Sequence, residues 1–249
     1  MPFISAADRA HGFRPARRSC MNAGMEHLLD NIVWNTLAGP HERFSVGTER
    51  ARRYAPGFSP IAGFANPSRP DFAALAPYCA PGEHLYYEAA AGDVPTGWRI
   101  EADTTMFKMV WEGDAPQLDE APDAIPLRAQ HAAQALQLAT LTRPGPFGAR
   151  TIELGEYFGC FDGERLVAMA GERMRAGPLR EISGVCTHPD FQGRGLARRL
   201  VRKLLFRQTR RGETPFLHVM SDNLNARALY ARMGFRDYRE AGVRVVVRS

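Results

Sequence analysis

The sequence predicts an α+β protein in which helices and strands alternate through the second half of the 249-residue chain. Three stretches carry this prediction. β-rich runs on both sides of Asp162 and Gly163 predict a hairpin, because Asp-Gly favours the tight turns that join antiparallel strands. Residues 180–220 run from strand through glycine-rich turn and helix to strand, which is typical of a crossover between parallel strands. The β-branched residues 243–248 predict a last strand.

The first half of the chain reads as a mixture of helices and strands. Apolar residues recur at helical spacing over residues 26–37, and Gly39 with Pro40 ends that pattern. Composition and punctuation by Gly, Pro and Asp predict the other elements, which are a strand at 61–65, a helix at 70–76 and strands at 84–88, 98–101 and 105–111. No catalytic motif stands in this half, so we interpret its aromatic residues as core.

An acidic stretch that contains two prolines, residues 112–125, separates the two halves. It has few bulky apolar residues, which is typical of a linker. The predicted organisation is therefore a loose N-terminal extension at 1–24, an α/β domain at 25–120 and a second domain at 121–249.

The second half has clearer elements. Residues 125–127 predict a short strand, and residues 142–148 predict a loop because they contain two prolines and two glycines. The remaining predicted elements are helices at 129–141, 195–209 and 223–233 and strands at 157–161, 165–170, 180–187 and 216–220.

Composition excludes several functional classes. The net charge is +5, but basic residues are spread along the chain and form no basic run interleaved with aromatics, so we expect no nucleic-acid partner. No apolar run approaches the roughly 18 residues of a membrane span, so we expect no membrane partner. The four cysteines lack the spacing of a metal site, which predicts free thiols, no metal and a cytoplasmic protein.

Residues 181–197 predict an anion-binding turn. A strand ends near Pro189 and Asp190, and Gly193 and Gly195 then lead directly into a helix. The free amides of a first helical turn and the helix dipole favour a phosphate at such a turn. Glycines let the backbone approach that phosphate closely.

Two signatures in this half resemble those of the GNAT superfamily of N-acetyltransferases. The first follows the pattern Gln-x-x-Gly-x-Ala and comprises Gln192, Gly195 and Ala197. The second, about thirty residues later, comprises Asn223, Ala226, Leu229, Tyr230, Gly234 and Phe235. The resemblance covers residues 125–249. Within the superfamily, this two-part chain is similar to the glycine N-acyltransferase-like branch. It implies a three-layer fold with a mixed, mostly antiparallel sheet flanked by helices, and it suggests that the divergent first half is a degenerate copy.

The resemblance implies acetyl-CoA as the co-substrate. Backbone groups of the strand that ends at Thr187 would hold the pantetheine arm, and the amides that follow would hold the pyrophosphate, with a further contact from the Arg194 side chain. The residues implied in this binding are Val185, Cys186, Thr187, Gln192, Gly193, Arg194, Gly195, Leu196, Ala197 and Asn223.

Acetyl transfer to an amine also needs a base and an acid. The resemblance implies Glu181, eleven residues before Gln192, as the base and Tyr230 as the acid for the leaving thiolate. His188 and His218 are alternative bases. A backbone N–H near Val185 would stabilise the oxygen of the tetrahedral intermediate. An acyl-cysteine route through Cys186 is disfavoured, because no histidine is arranged in the sequence to activate it.

The predicted activity is therefore acetyl transfer to a primary amine by direct attack in a ternary complex. The acceptor is expected to be a small-molecule amine or an amino acid, bound near the loop at 142–148, Glu153 and the strand start at Tyr157. The chain is expected to act as a monomer or a homodimer. The alternative is a non-catalytic acyl-CoA sensor, which would keep the anion-binding turn without the acid or the base.

Overall fold

The computed structural model describes residues 23–89 and 92–249. The loose extension predicted at 1–24 lies almost wholly outside these residues. The helices are α1 Ala23–Asp30, α2 Ile32–Leu37, α3 Phe72–Leu75, α4 Ala132–Thr142, α5 Leu196–Arg210 and α6 Leu224–Arg232. The strands are β1 Ser45–Gly47, β2 Ala51–Tyr54, β3 Ala62–Phe64, β4 His84–Ala89, β5 Trp98–Trp111, β6 Ile125–Pro126, β7 Tyr157–Asp162, β8 Arg165–Ala176, β9 Leu179–Thr187, β10 Thr214–Met220 and β11 Phe235–Arg248.

Eight of these strands form one sheet in the order β4-β11-β5-β10-β9-β8-β7-β6, and β1, β2 and β3 form a small separate sheet. The pairs within the large sheet are antiparallel except β9 with β10, which are parallel. Helix α5 connects that parallel pair, as the crossover predicted for residues 180–220 requires. The predicted class, a mixed and mostly antiparallel sheet flanked by helices, is confirmed.

Helices cover both faces of the large sheet. On one face, Leu200 and Leu204 of α5 pack with Ile182 and Leu217 of the central strands. On the other face, α2 packs over β8 and α1 over β9, with Val110 of β5 and Phe216 of β10 in the same core cluster, and α4 packs beside them over β8 and β9. We call these the α5 face and the α2 face. The amphipathic spacing of α5 in the sequence reflects this single buried side.

The first half of the chain contributes strands to the large sheet. Strand β5 lies between β10 and β11, and β4 forms the outer edge beside β11. The acidic stretch before β6 packs against α5. Its Ala121 is buried, and Lys203 Nζ of α5 donates to the Ala121 carbonyl over 3.0 Å. A boundary at residue 120 would therefore cut through one continuous sheet.

Several element lengths differ from the sequence predictions. The helix predicted over 26–37 is interrupted at Asn31, whose side-chain amide donates to Phe64 O of the small sheet over 2.9 Å. The two strands predicted over 98–111 are one strand, because β11 pairs with β5 along its whole length. Residues 102–104, between the two predicted strands, are exposed in the structure, so they lack the apolar residues that would mark a strand in the sequence.

Candidate active site

The parallel strands β9 and β10 separate near the centre of the sheet. They pair only where residues 214–216 oppose residues 179–181, and their remaining residues have no partner across this junction. Gly184 lies in the unpaired part of β9 with a φ of +63°, a backbone conformation that other residues rarely adopt. Gly184 and Val185 also lack an opposite residue on β8. The sheet therefore has a gap beside this part of β9.

A cavity of about 270 Å³ occupies this gap. From the α5 face it is lined by Val185, Asn223 and Tyr230, and from the α2 face by Ser183 and His218 among others. Because these residues belong to opposite faces of the sheet, the cavity crosses the sheet through the gap. A molecule that enters from one face can meet a molecule that enters from the other.

The glycine-rich turn before α5 has the features of an anion site. Gly193 and Gly195 have φ values of +76° and +73°, and a Cβ atom at either position would meet nothing within 4 Å. Within the described chain, the amides of residues 193–198 donate no hydrogen bond. These free amides at the start of a 15-residue helix fit the pyrophosphate of a coenzyme A molecule.

The other residues predicted for acetyl-CoA binding differ in position. Val185 and Asn223 line the cavity, and Asn223 also caps α6 by accepting from Ala226 N over 3.1 Å. Gln192 Nε2 contacts the Thr187 carbonyl at 3.5 Å, which places both residues at the edge of the turn. Leu196 and Ala197 form the first turn of α5.

Two side chains from this predicted set are directed elsewhere. Arg194 donates to Asp190 O over 3.2 Å, and its guanidinium lies 4.6 Å from the centre of the Phe191 ring. The Cys186 side chain packs in the core under α4, and burial raises the pKa of its thiol to about 11. Neither side chain lines the cavity. The thiol therefore has the structural role that the sequence favours, whereas Arg194 can offer its backbone amide to a phosphate.

Glu181 is fully buried and fully hydrogen-bonded. Its Oε1 accepts from Arg173 Nη2 over 2.7 Å and contacts His218 Nδ1 at 2.8 Å. Its Oε2 accepts from Arg173 Nε over 3.0 Å and from Met174 N over 3.1 Å. Burial alone would raise the pKa of Glu181, but the Arg173 charge and the bonds from His218 and Arg173 outweigh burial and lower the pKa to about 2. Glu181 does not line the cavity, contrary to the expectation for a base that contacts the acceptor.

The contact with Glu181 determines the tautomer of His218. The ionised carboxylate of Glu181 can only accept, so Nδ1 of His218 carries the proton of this hydrogen bond. In the neutral ring, Nε2 then carries the lone pair. Nε2 is buried and has no hydrogen-bond partner in the described structure, and His218 lines the cavity. The second alternative, His188, does not line the cavity, and its Nδ1 accepts from Asp190 N over 3.2 Å.

Tyr230 enters the cavity from α6, opposite His218. It is only 9% exposed, and burial raises the pKa of its phenol to about 12. The phenol is therefore protonated near neutral pH and can donate a proton. Its oxygen is not among the buried polar atoms that lack a partner, which is consistent with access from the cavity.

The predicted acceptor region is partly correct. Residues 143–146 of the loop after α4 line the cavity on the α2 face, as expected. Glu153 does not, because it forms an exposed ion pair with Arg150. Tyr157 is also outside the cavity, since its ring packs beneath Gly171 and Gly184 in the core. Both were expected at the acceptor mouth because of their sequence position, which carries no information about side-chain direction.

Sequence reasoning missed Arg173 altogether. No motif marks this residue, and its contacts with Glu181 and with Pro146 O arise only when β8 pairs with β9. The apolar residues of β8 before it give a weak signal, because an arginine that is buried in such a strand needs a charged partner. Among the described residues, no group of three or more His, Cys, Asp and Glu side chains could hold a metal ion. In the same part of the chain, every helix is too short or too polar to cross a bilayer.

Comparison with known proteins agrees with this fold. Residues 157–245 match the FR47-like protein family. A GNAT-family protein of known structure from Novosphingobium aromaticivorans DSM 12444 is 34% identical, with a TM-score of 0.80 over 90% of this chain and 99% of that chain. The chain therefore belongs to the GNAT family of acetyltransferases.

Other similarities cover different shares of the chain. N-alpha-acetyltransferase RimI from Mycobacterium tuberculosis (strain ATCC 25618 / H37Rv) is 41% identical over 83 residues, which are 32% of this chain and 51% of the relative. The chain thus spans about half the length of this curated relative. A GCN5-related N-acetyltransferase-like protein from Streptococcus suis 89/1591 shares the fold at 14% identity, with a TM-score of 0.55 over 91% of this chain and 99% of that chain.

Proposed function

We propose that this protein is an N-acetyltransferase that moves an acetyl group from acetyl-CoA to a primary amine by direct attack in a ternary complex. The cavity that crosses the sheet carries this proposal. It brings the strand beside the anion-binding turn, His218 and Tyr230 to one space that is reached from both faces. A donor on the α5 face and an acceptor on the α2 face can therefore be bound at the same time.

The residues beside the gap fit acetyl-CoA. The free amides of residues 193–198 would hold its pyrophosphate, and the unpaired part of β9 leaves backbone groups for its pantetheine arm. Bound acetyl-CoA supplies the thioester whose carbonyl carbon is attacked. A backbone N–H near Val185, in the irregular part of β9, would stabilise the negative charge that develops on the carbonyl oxygen.

His218, rather than Glu181, takes the proton of the amine. Its Nε2 has a free lone pair, whereas both oxygens of Glu181 already accept from Arg173, His218 and the backbone. Glu181 is then a positioning residue that fixes the tautomer and stabilises the imidazolium. Arg173 keeps Glu181 ionised, which is the condition for both effects.

Tyr230 gives a proton to the leaving sulfur. The amine nitrogen forms a bond to the carbonyl carbon while the carbon–sulfur bond breaks, one amine proton moves to Nε2 of His218, and the phenol of Tyr230 protonates the thiolate. Solvent then restores the phenol and removes the proton from the imidazolium. The products are an N-acetylated amine and coenzyme A, so atoms and charges balance.

The comparisons support the reaction at a coarser level than this mechanism. The RimI relative is named an N-alpha-acetyltransferase, which supports an α-amine as the acceptor group. The two-part sequence supports a place near the glycine N-acyltransferase-like branch. A cytoplasmic location and a monomeric or homodimeric state also belong to this proposal.

Thiol release from acetyl-CoA, measured over a panel of primary amines, tests the function. We expect turnover with at least one amine, and a His218→Gln variant should lose roughly 10²- to 10⁴-fold in kcat, the usual contribution of a general base. His84→Gln is the matched control, because His84 is exposed on β4, outside the cavity, and contacts Glu101. Tight coenzyme A binding without turnover of any amine would show the acyl-CoA sensor instead. Unchanged kcat in His218→Gln would refute the assignment of the base.

A further inference from the structure

The half of the cavity on the α2 face is formed by apolar side chains of neighbouring strands. Val243 of β11 lies opposite Glu88 of β4 and Thr104 of β5, and opposite residues in a sheet share a face. We call this space the acceptor half of the cavity. Its apolar lining consists of Tyr86, Met106, Met174, Val243 and Val245.

The covering layer closes this half. Val33 of α2 and Ile61 beside the small sheet both line the cavity, and both are buried. The cavity volume of about 270 Å³ must hold the acetyl end of the donor as well as the acceptor. Pockets for drug-sized ligands usually measure roughly 300–1,000 Å³, so this space suits a small molecule better than an extended peptide.

Most charged groups along this half already have partners. Glu88 accepts from Lys108 Nζ at 2.7 Å and from Arg239 Nη2 at 3.0 Å, so its charge is compensated. Arg173 is paired with Glu181. The acceptor half therefore offers no uncompensated carboxylate for a second ammonium group of a polyamine or a diamine.

Arg143 is the exception. It lines the cavity at its exposed mouth, and its side chain has no hydrogen bond or ion pair within residues 23–89 and 92–249. It is also the one non-glycine residue in that part of the chain with a positive φ, at 49°. This conformation ends helix α4, whose C-cap residue is Arg143. An unpaired guanidinium favours a carboxylate, which it can bind through two parallel hydrogen bonds.

We propose that the acceptor is a free amino acid with an apolar side chain. Its amine lies at His218, its carboxylate binds Arg143, and its side chain packs among Tyr86, Met106 and Val243. This inference rests on the proposed acetyltransferase function and specifies its acceptor. Acetylation of the α-amine removes its positive charge, so the product is an N-acetylated amino acid that keeps its carboxylate.

Initial rates of thiol release with paired acceptors test this inference. Leucine and phenylalanine are compared with three kinds of acceptor. Glycine lacks the apolar side chain, and 3-methylbutylamine and 2-phenylethylamine lack the carboxylate. The third kind is a short peptide that has a free N-terminal alanine. We expect kcat/KM for leucine or phenylalanine to exceed that of each comparison compound by roughly 10- to 100-fold. Glycine cannot fill the apolar lining, the two amines cannot make the charge-assisted contact, and the peptide does not fit the small cavity.

Arg143→Gln should raise KM for leucine or phenylalanine by roughly 10- to 100-fold and leave the rates of the two amines and KM for acetyl-CoA unchanged. Arg69→Gln is the matched control, because Arg69 is an exposed arginine outside the cavity. Equal thermal unfolding of both variants would show that they fold.

Faster turnover of the amines or the peptide, or an unchanged KM in Arg143→Gln, would overturn the inference about the acceptor and leave the acetyltransferase function intact. Absence of thiol release with every acceptor would overturn the function itself, and the acceptor with it.

Discussion

Replacement of Glu181 by Gln perturbs a fully buried carboxylate that joins β8, β9 and β10. The substitution keeps the shape of the side chain but puts an NH₂ donor where an oxygen accepts from Arg173, His218 or Met174 N. Arg173 is left with a charge in the core and no counter-ion. Loss of one partner of such a buried pair costs about 3–5 kcal/mol.

This cost predicts a large change in thermal stability. For a protein of 249 residues, each kcal/mol lowers Tm by about 2–4 °C, so Glu181→Gln should lower Tm by roughly 6–20 °C at pH 7. The control is Glu153→Gln, which removes a similar two-bond contact, with Arg150 at 3.0 Å and 2.8 Å. These side chains are 51% and 44% exposed, and exposed pairs contribute little, so the control should unfold close to the wild type.

The pH dependence provides a second measure of the same interaction. The pKa of Glu181 in the folded protein is about 2, below its ordinary value of 4.5. A lowered carboxylate pKa stabilises the fold above pH 4.5, and this stabilisation is lost as the pH falls towards 2. The difference between these two pKa values corresponds to about 3 kcal/mol in the free energy of unfolding. The difference in the free energy of unfolding between wild type and Glu181→Gln should therefore become smaller below pH 4.5.

Chemical unfolding followed by circular dichroism at pH 7, 4 and 3 measures these quantities for wild type, Glu181→Gln and Glu153→Gln. A free energy of unfolding for Glu181→Gln that equals that of Glu153→Gln at pH 7 would refute the reasoning. So would a difference between wild type and Glu181→Gln that stays constant down to pH 3.

Two further predictions concern the donor side. Tyr230→Phe should lower kcat by roughly 10²-fold or more, because the thiolate loses its proton donor. The Kd for coenzyme A, measured by calorimetry, should stay unchanged. Equal kcat values for wild type and Tyr230→Phe would refute the role of Tyr230 as the acid. Gly195 and Gly163 have φ values of +73° and +58°, so replacement of either by Ala should destabilise the fold by about 1–2 kcal/mol. Only Gly195→Ala should also weaken coenzyme A binding. Equal coenzyme A binding by both variants would place the pyrophosphate elsewhere.

Local patterns in the sequence predicted much of the second half. The hairpin around Asp162 and Gly163, the helix N-terminus after Gly195 and the helix that carries Tyr230 depend on residues close together in the chain. Turn chemistry, helix capping and apolar periodicity act over a few residues, so one sequence reveals them. The strand before the glycines carries Val185, Asn223 caps the helix that carries Tyr230, and both residues line the cavity.

The first half was harder to predict because its strands depend on distant partners. Strands β4 and β5 look like parts of a separate domain, yet they pair with β11, and β5 also with β10, from the far end of the chain. Pairing of this kind leaves no local signature, since a strand reads the same wherever its partner lies. The position of the boundary at residue 120 could not be judged from composition alone.

The sequence by itself determined the fold class and the glycine-rich turn before α5, and it offered His218 and Tyr230, which both line the cavity, as candidates. Only the tertiary structure places both side chains at one cavity and shows which of their atoms have partners. Glu181 and His218 are 37 positions apart, and they meet because β10 lies beside β9. That contact saturates Glu181 and leaves a free lone pair on His218, and side-chain saturation depends on three-dimensional neighbours that sequence spacing does not encode.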